Sequence, residues 1–268
     1  MKSKRNTQLV LLTLLFITLI SIPSVCGLLS ADEGDSQVEI SQTPSTTFPI
    51  VIDQPGNYIL TGDITVSTPQ VNGIEIMADD VTLDLNGYTL TGPGGEGTGI
   101  GISVAQRENA EIINGTVQGF FSGINLSGNN HQLKNVSACQ NSSSGIEAGS
   151  SLITDCQANA NGLHGLMATS STITTCTANA NGSCGMHVTS CTVTGCTASF
   201  NGSHGIYAVD KCCLEETTIR DNGGYGLYLD PDYSYAIRNV AGNNAAGNFY
   251  QTGTHYLPLS GDEANVDE

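Results

Sequence analysis

Ten residues recur three times at an interval of 20: CQANANGLHG at 156–165, CTANANGSCG at 176–185 and CTASFNGSHG at 196–205. The phrase belongs to a longer series in which glycine is followed by Ile, Leu or Met, then a variable residue, then an aliphatic residue or Ala. Its copies are GIEI (73–76), GISV (101–104), GINL (123–126), GIEA (145–148), GLMA (165–168), GMHV (185–188), GIYA (205–208) and GLYL (226–229), spaced 28, 22, 22, 20, 20, 20 and 21 residues apart. Such a short, nearly fixed period specifies a solenoid, because one repeat buries its apolar side only against its neighbours.

Aligning the repeats exposes columns. Ile74, Ile102, Ile124, Ile146, Leu166, Met186, Ile206 and Leu227 form one; Leu133, Ile153, Ile173 and Val193 a second; Val136, Cys156, Cys176 and Cys196 a third. Within each run apolar and polar residues alternate with a period of 2, and no segment keeps a helical period of 3.6. Composition agrees: 32 glycines, no tryptophan and only 12% charged residues suit strands and tight turns better than helices.

A further column, Asn141, Asn161, Asn181, Asn201 and Asn222, falls at one place in successive repeats and is mostly followed by glycine. Asn and Gly tolerate the left-handed backbone of a tight corner, and amides stacked one coil apart hydrogen-bond along a column. Asn114, Asn125, Asn135, Asn141, Asn181 and Asn201 also begin N-x-S/T triplets; for the column, a structural ladder is the favoured reading over glycosylation.

The N-terminus carries Lys2, Lys4 and Arg5, an apolar run from Leu9 to Ile20 and small residues around 24–27, which reads as a secretory signal over 1–27. An acidic linker (28–47), a repeat domain (48–255) and an acidic tail (256–268) are expected to follow. Removing the signal leaves 5 basic against 25 acidic residues, counted from the 8 and 25 of the whole chain. Nucleic acid is therefore not an expected partner, since binding it requires Lys and Arg on phosphates. The eight cysteines beyond the signal fit an oxidising compartment. Cys156, Cys176 and Cys196 read as free core thiols, and Cys191 with Cys212 or Cys213 as the best-placed bridge.

The N-G-x-x-G-[ILM]-x-[AV] corners, as in NGLHGLMA, NGSCGMHV and NGSHGIYA, together with ADDVTLDLNGYTLTG (78–92), resemble the right-handed parallel β-helix proteins of the pectin-lyase-like superfamily, over roughly residues 48–250. The resemblance implies an all-β, single-stranded right-handed parallel β-helix of about eight to nine coils. The handedness also follows from the general preference of parallel β crossovers. The superfamily hosts lyases, hydrolases, epimerases, adhesins and proteins without a reaction, so fold alone does not assign activity.

No catalytic residue carries over from that resemblance. Asp79-Asp80 superficially matches an aspartate pair but precedes Val81, Leu83 and Leu85 and reads as a solvated turn. His164, His187 and His204 lack a Gly-His-Gly context, and Arg220 and Arg238 lack an Arg-x-Lys pattern.

Two columns remain as candidates. The outward third position of each repeat reads Glu75, Ser103, Asn125, Glu147, Met167, His187, Tyr207, Tyr228; Glu147, His187, Tyr207 and Tyr228 are the expected glycan-binding residues, with Asp230, Asp232 and Tyr233 extending the surface. The residue before each glycine reads Ser144, His164, Cys184, His204, Tyr225. His-Cys-His suits zinc or copper, yet strict alternation places this column inside, as corner packing. A small Thr array (Thr154, Thr172, Thr174, Thr177, Thr192, Thr194, Thr197) is similar to those of ice-binding solenoids.

The sequence thus predicts a secreted or cell-surface monomer that binds an extracellular polysaccharide or cell-surface glycan, catalysis being left open. No cofactor or metal site is assigned, calcium being the one cation kept in view. A non-catalytic structural or adhesin-like surface protein is the alternative, and ice binding the third reading.

Overall fold

The computed structural model describes residues 37–95, 97–230, 233–253 and 265–267. The segment read as a signal and most of the acidic tail lie outside these residues.

One coil shows how the sequence closes on itself. Between Ser150 and Ser170 the chain runs through the strand Ser151–Thr154, a single bridge at Gln157, and the strand Leu166–Thr169. Ser150, Asp155, Ala160 and Ser170 have φ of +44°, +54°, +56° and +52°. Each such residue turns the chain from one wall to the next, and the same places are taken by Thr175, Ala180 and Ser190 in the following coil and by Gly195, Phe200 and Asp210 after it. The left-handed residue is therefore the one before each column asparagine, not the asparagine itself as expected. Asn161 is needed there for its amide.

Repetition of this coil builds three walls, all with parallel pairing. The first sheet has ten strands among the described residues, from Ile50–Ile52 to Gly247–Gln251. The second contains Ser151–Thr154 and its equivalents, and the third is short, ending with Thr197–Ser199, Thr218–Arg220, Val240–Gly242 and Val266–Asp267. The right-handed parallel β-helix predicted from the corner motifs is the observed fold. Among the described residues it has ten rungs rather than eight or nine, because the first and last lack the signature: Pro49 stands where glycine was sought before Ile50, and Asn248 where it was sought before Phe249. The solenoid also reaches beyond the stretch expected for it. Val38–Ile40 pairs with Tyr58, Ile59 and Leu60, and Val266 and Asp267 pair with Val240 and Ala241.

The core consists of the predicted columns. Ile74, Ile102, Ile124, Ile146, Leu166, Met186, Ile206 and Leu227 are at most 1% exposed, each contributing about 1.5–3 kcal/mol by burial. Ile146 lies in register with Leu166, Leu166 with Met186 and Met186 with Ile206.

The polar groups inside are spent on one another. Asn141 Nδ2 donates to Asn161 Oδ1 (3.1 Å), and the relay continues to Asn181 (3.1 Å), Asn201 (2.9 Å), Asn222 (2.9 Å), Asn244 (2.8 Å) and Asn248 (2.8 Å). The second amide hydrogen of Asn161 goes to Ala138 O (3.1 Å), and its Oδ1 also accepts from Asn141 N–H (3.0 Å). Asn141, Asn161, Asn181, Asn201 and Asn222 are each 2% exposed, which leaves the amides of Asn141, Asn181 and Asn201 inaccessible to glycosylation. A Cβ added at Gly165 would lie 2.6 Å from Asn181 Nδ2 and 2.7 Å from Ala158 O, so this glycine leaves room for the ladder.

A second ladder runs at the corner between the first and second walls. Ala110 N–H donates to His131 Nδ1 (3.1 Å), Ser151 N–H to Ser171 Oγ (3.1 Å), Ser171 N–H to Cys191 Sγ (3.4 Å), Cys191 N–H to Cys212 Sγ (3.4 Å) and Cys212 N–H to Ser234 Oγ (3.2 Å). The expected Cys191 bridge is therefore corrected: both thiols are free, standing where hydroxyls stand elsewhere in the column. Cys156, Cys176 and Cys196 are free core residues as predicted.

Candidate functional site: an outward aromatic face

The first sheet presents one outward column in register across its rungs: Glu75, Ser103, Asn125, Glu147, Met167, His187, Tyr207, Tyr228 and Tyr250. Neighbouring coils place the third residue of each repeat directly over the last, since parallel pairing without a slip keeps every side chain on its own face. Glu147, His187, Tyr207 and Tyr228 thus share one surface.

That surface has two halves. Around Glu147, Met167 and His187 lies an open groove of about 480 Å³, rimmed by Asn125, Thr169 and Thr189. The Glu147 carboxylate accepts from Ser122 Oγ (2.9 Å) and Asn125 Nδ2 (3.1 Å), which fixes its orientation. Beyond His187 the column becomes aromatic. Ring centroids step 4.9 Å from His187 to Tyr207, 5.1 Å to Tyr228 and 4.8 Å to Tyr250.

The column before the glycines departs from expectation. Ser144 and Cys184 are buried, but His164, His204 and Tyr225 are only half-buried and stand against the outward rings. His164 lies 5.2 Å from His187; His204 lies 4.9 Å from Tyr228 and 5.9 Å from Tyr207; Tyr225 lies 4.6 Å from Tyr250. Strict alternation fails because Gly165 and Leu166 both face inward, the glycine against the asparagine ladder. The residue before the glycine is thereby turned out. Two columns merge into one patch of seven rings, of which Tyr250 and the outward aim of His164, His204 and Tyr225 escaped the sequence reading. A spacing of 22 residues from Tyr228 to Tyr250 was the available signal.

Electrostatics on this face are simple. Burial lowers the pKa of His164, of His187 and of His204 below the ordinary 6.5, and for His164 the neighbouring His187 adds to the effect. His204 Nδ1 accepts from Tyr225 N–H (3.0 Å), so that nitrogen carries no proton. Tyr207 Oη donates to Asp230 Oδ2 (2.6 Å), and this hydrogen bond, with desolvation and the carboxylate charge, pushes the phenol up to about 12. Asp230 Oδ1 also accepts from Thr252 Oγ1 (3.3 Å). Asp230 therefore extends the surface as expected. Tyr233 does not: it is 70% exposed and lines a separate depression with Ser190, Asp210 and Lys211. Asp232 lies outside the described residues.

Other candidates resolve as structure. Asp80 adopts φ of +57° and accepts from Asn109 Nδ2 (2.7 Å), while Asp79 accepts from Glu108 N–H (2.9 Å), the turn expected of that pair. Among the described residues no three His, Cys, Asp or Glu side chains gather as metal ligands. Thr172 pairs with Thr192 and Thr174 with Thr194, but Cys213 and Glu215 follow on the next rung and end the array.

The comparisons agree with this fold. The sequence matches the family described as "Right handed beta helix region" over residues 72–215, more than half of the chain. Among solved structures the fold is similar to the Dettilon tailspike protein (gp208), at 12% identity and a TM-score of 0.67, covering 86% of this chain and 55% of that one. It is also similar to a double mutant of the periplasmic alginate epimerase AlgG, at 11% identity and a TM-score of 0.54, covering 81% of this chain and 70% of that one. The chain thus spans little more than half the length of the tailspike. No curated protein matches it in sequence. The chain belongs to the right-handed β-helix family.

Proposed function

We propose that this protein is secreted or displayed at a cell surface, acts as a monomer without nucleic acid, and binds an extracellular polysaccharide along the outward face of its first sheet, through Glu147, His187, Tyr207 and Tyr228 together with Tyr250. The observation that carries the reading is the ladder of four rings at successive steps of 4.9, 5.1 and 4.8 Å. Aromatic rings offer apolar faces to pyranose C–H groups, and Glu147, two coils before His187, and Asp230, beside Tyr207, add hydroxyl-accepting oxygens. The groove beside Glu147 lengthens the track. That the same fold carries an epimerase of alginate agrees with a saccharide ligand.

The test is a glycan array with the full chain, followed by a turnover assay on any hit. Binding without depolymerisation or epimerisation, with and without calcium, supports a lectin-like or adhesin role. Absence of binding on the array supports a purely structural surface protein instead.

A further inference from the structure

We infer that the ligand of this face is an uncharged, β-1,4-linked chain of gluco-configured sugars, held extended with one sugar per coil; the inference rests on the binding surface proposed above and names what it takes.

Charge carries the first part. The outward column contains Glu75 and Glu147 and no Lys or Arg. Of the cations among the described residues, Lys134 lies on a strand of the second wall, Arg220 on the third, and Lys211 and Arg238 at corners. Arg107 stands opposite Gly128 near the end of its strand and is not part of the groove lining. The imidazoles on the face are neutral at pH 7, being held below their ordinary range. A chain with one carboxylate per sugar would meet Glu147 and Asp230 with no counter-charge between them. A polyamine gains little either, because Glu147 stands two coils from His187 and the Asp230 carboxylate beside Tyr207 is engaged by that ring's hydroxyl. Both already accept two hydrogen bonds. From His187 to Tyr250 the column itself is built of neutral rings.

Spacing and shape carry the second part. The ring steps keep pace with a coil rise of ~4.8 Å, and an extended β-1,4-linked hexopyranose chain advances by nearly the same distance per sugar, so rings and sugars stay in step. An α-1,4 chain coils away from a straight column. Alternate sugars of the extended chain are turned over, which exposes both pyranose faces to the ladder in succession. In gluco-configured units the ring hydroxyls are equatorial, so both faces present C–H groups.

The experiment is calorimetric titration of the full chain at pH 7 with cellohexaose, N-acetylchitohexaose, chitosan hexamer, maltohexaose, oligogalacturonate and oligomannuronate, each with calcium and with chelator. The same ligands are titrated into the Tyr207→Ala/Tyr228→Ala double variant. Cellohexaose or N-acetylchitohexaose should bind at least about tenfold more tightly than the others, with affinity rising up to about four sugars, one for each ring of the ladder at the coil repeat, and lost in the variant. A uronate or amine chain that binds as tightly, and is lost in the same variant, keeps the face as the binding surface but overturns the uncharged class. Maltohexaose in that position overturns the extended β-linked geometry. If no oligosaccharide shows binding that the variant weakens, both the inference and the binding surface fall.

Discussion

Two columns of this solenoid repeat at the same interval and share a coil geometry, yet they differ in what their side chains have left over. The asparagine ladder inside spends every donor and acceptor on its neighbours: Asn161 gives one hydrogen to Asn181 and one to Ala138 O, and its Oδ1 takes two. The aromatic column outside stacks ring on ring and leans on His204 and Tyr225, and one hydroxyl is taken by Asp230, but its rings are only half-buried. Tyr250 is 37% exposed. A column that is saturated specifies the fold, and a column that is half-used is available to a ligand. The contrast teaches that repetition by itself is not functional evidence; what matters is the unspent bonding capacity of the repeated group.

The sharpest way to break the comparison is at the inner column. Asn181→Ala removes the partner of Asn161 Nδ2 and Asn161 N–H and leaves Ala158 O without its donor. Several polar groups are then buried unpaired, so the expected loss is about 3 kcal/mol or more, read as a lowered denaturation midpoint. A change below about 1 kcal/mol would mean that the ladder is incidental to stability.

A smaller effect is expected at His131, the member of the corner ladder that titrates. It is 1% exposed, and burial lowers its pKa below 6.5 against the opposing pull of a Ser127 backbone hydrogen bond, Asp79 and Glu108. The unfolded chain therefore binds the proton first as pH falls. The stability that neutral His131 contributes is present above about 6.5 and declines as pH drops through its lower folded value. His131→Ser, which restores the hydroxyl found at Ser151 and Ser171, should flatten the fall of the thermal midpoint between pH 7 and 5. An unchanged slope would place the acid sensitivity wholly in other groups.

The smallest effect is expected at Cys191. Its sulfur stands in for the hydroxyl of Ser171 one coil earlier, so Cys191→Ser should change stability by less than about 1 kcal/mol. Reductant should leave the mass and midpoint of the parent unchanged. A loss of several kcal/mol, or a two-dalton gain in mass on adding reductant, would reveal a bridge instead.

How much of this was legible follows from the same contrast. The inward columns and the asparagine ladder were readable because stacking forces like residues into like places, and the outward column followed by alternation. What escaped was local. The inward aim of both Gly165 and Leu166 cannot be seen in a two-residue period, and it is this break that turns His164, His204 and Tyr225 onto the outer face. The end rungs escaped because Pro49 and Asn248 replace the diagnostic glycine. The left-handed corners were assigned one residue late, because Gln140, Ala160 and Phe200 carry no turn preference of their own. The Cys191 pairing was misjudged because sequence shows two cysteines on adjacent coils but not that each is an acceptor for a backbone N–H.

The most direct test of the central claim reads both columns' currency, affinity and stability, on one preparation of Tyr207→Ala/Tyr228→Ala. Glycan affinity should fall by more than about tenfold, or ~1.4 kcal/mol. The denaturation free energy should fall by only about 1–3 kcal/mol, leaving the chain folded, since the lost contacts are between half-buried surface rings and not in the core. A variant that binds as the parent does, or one that unfolds, would contradict the account: the first places the ligand elsewhere, and the second makes these tyrosines part of the packing.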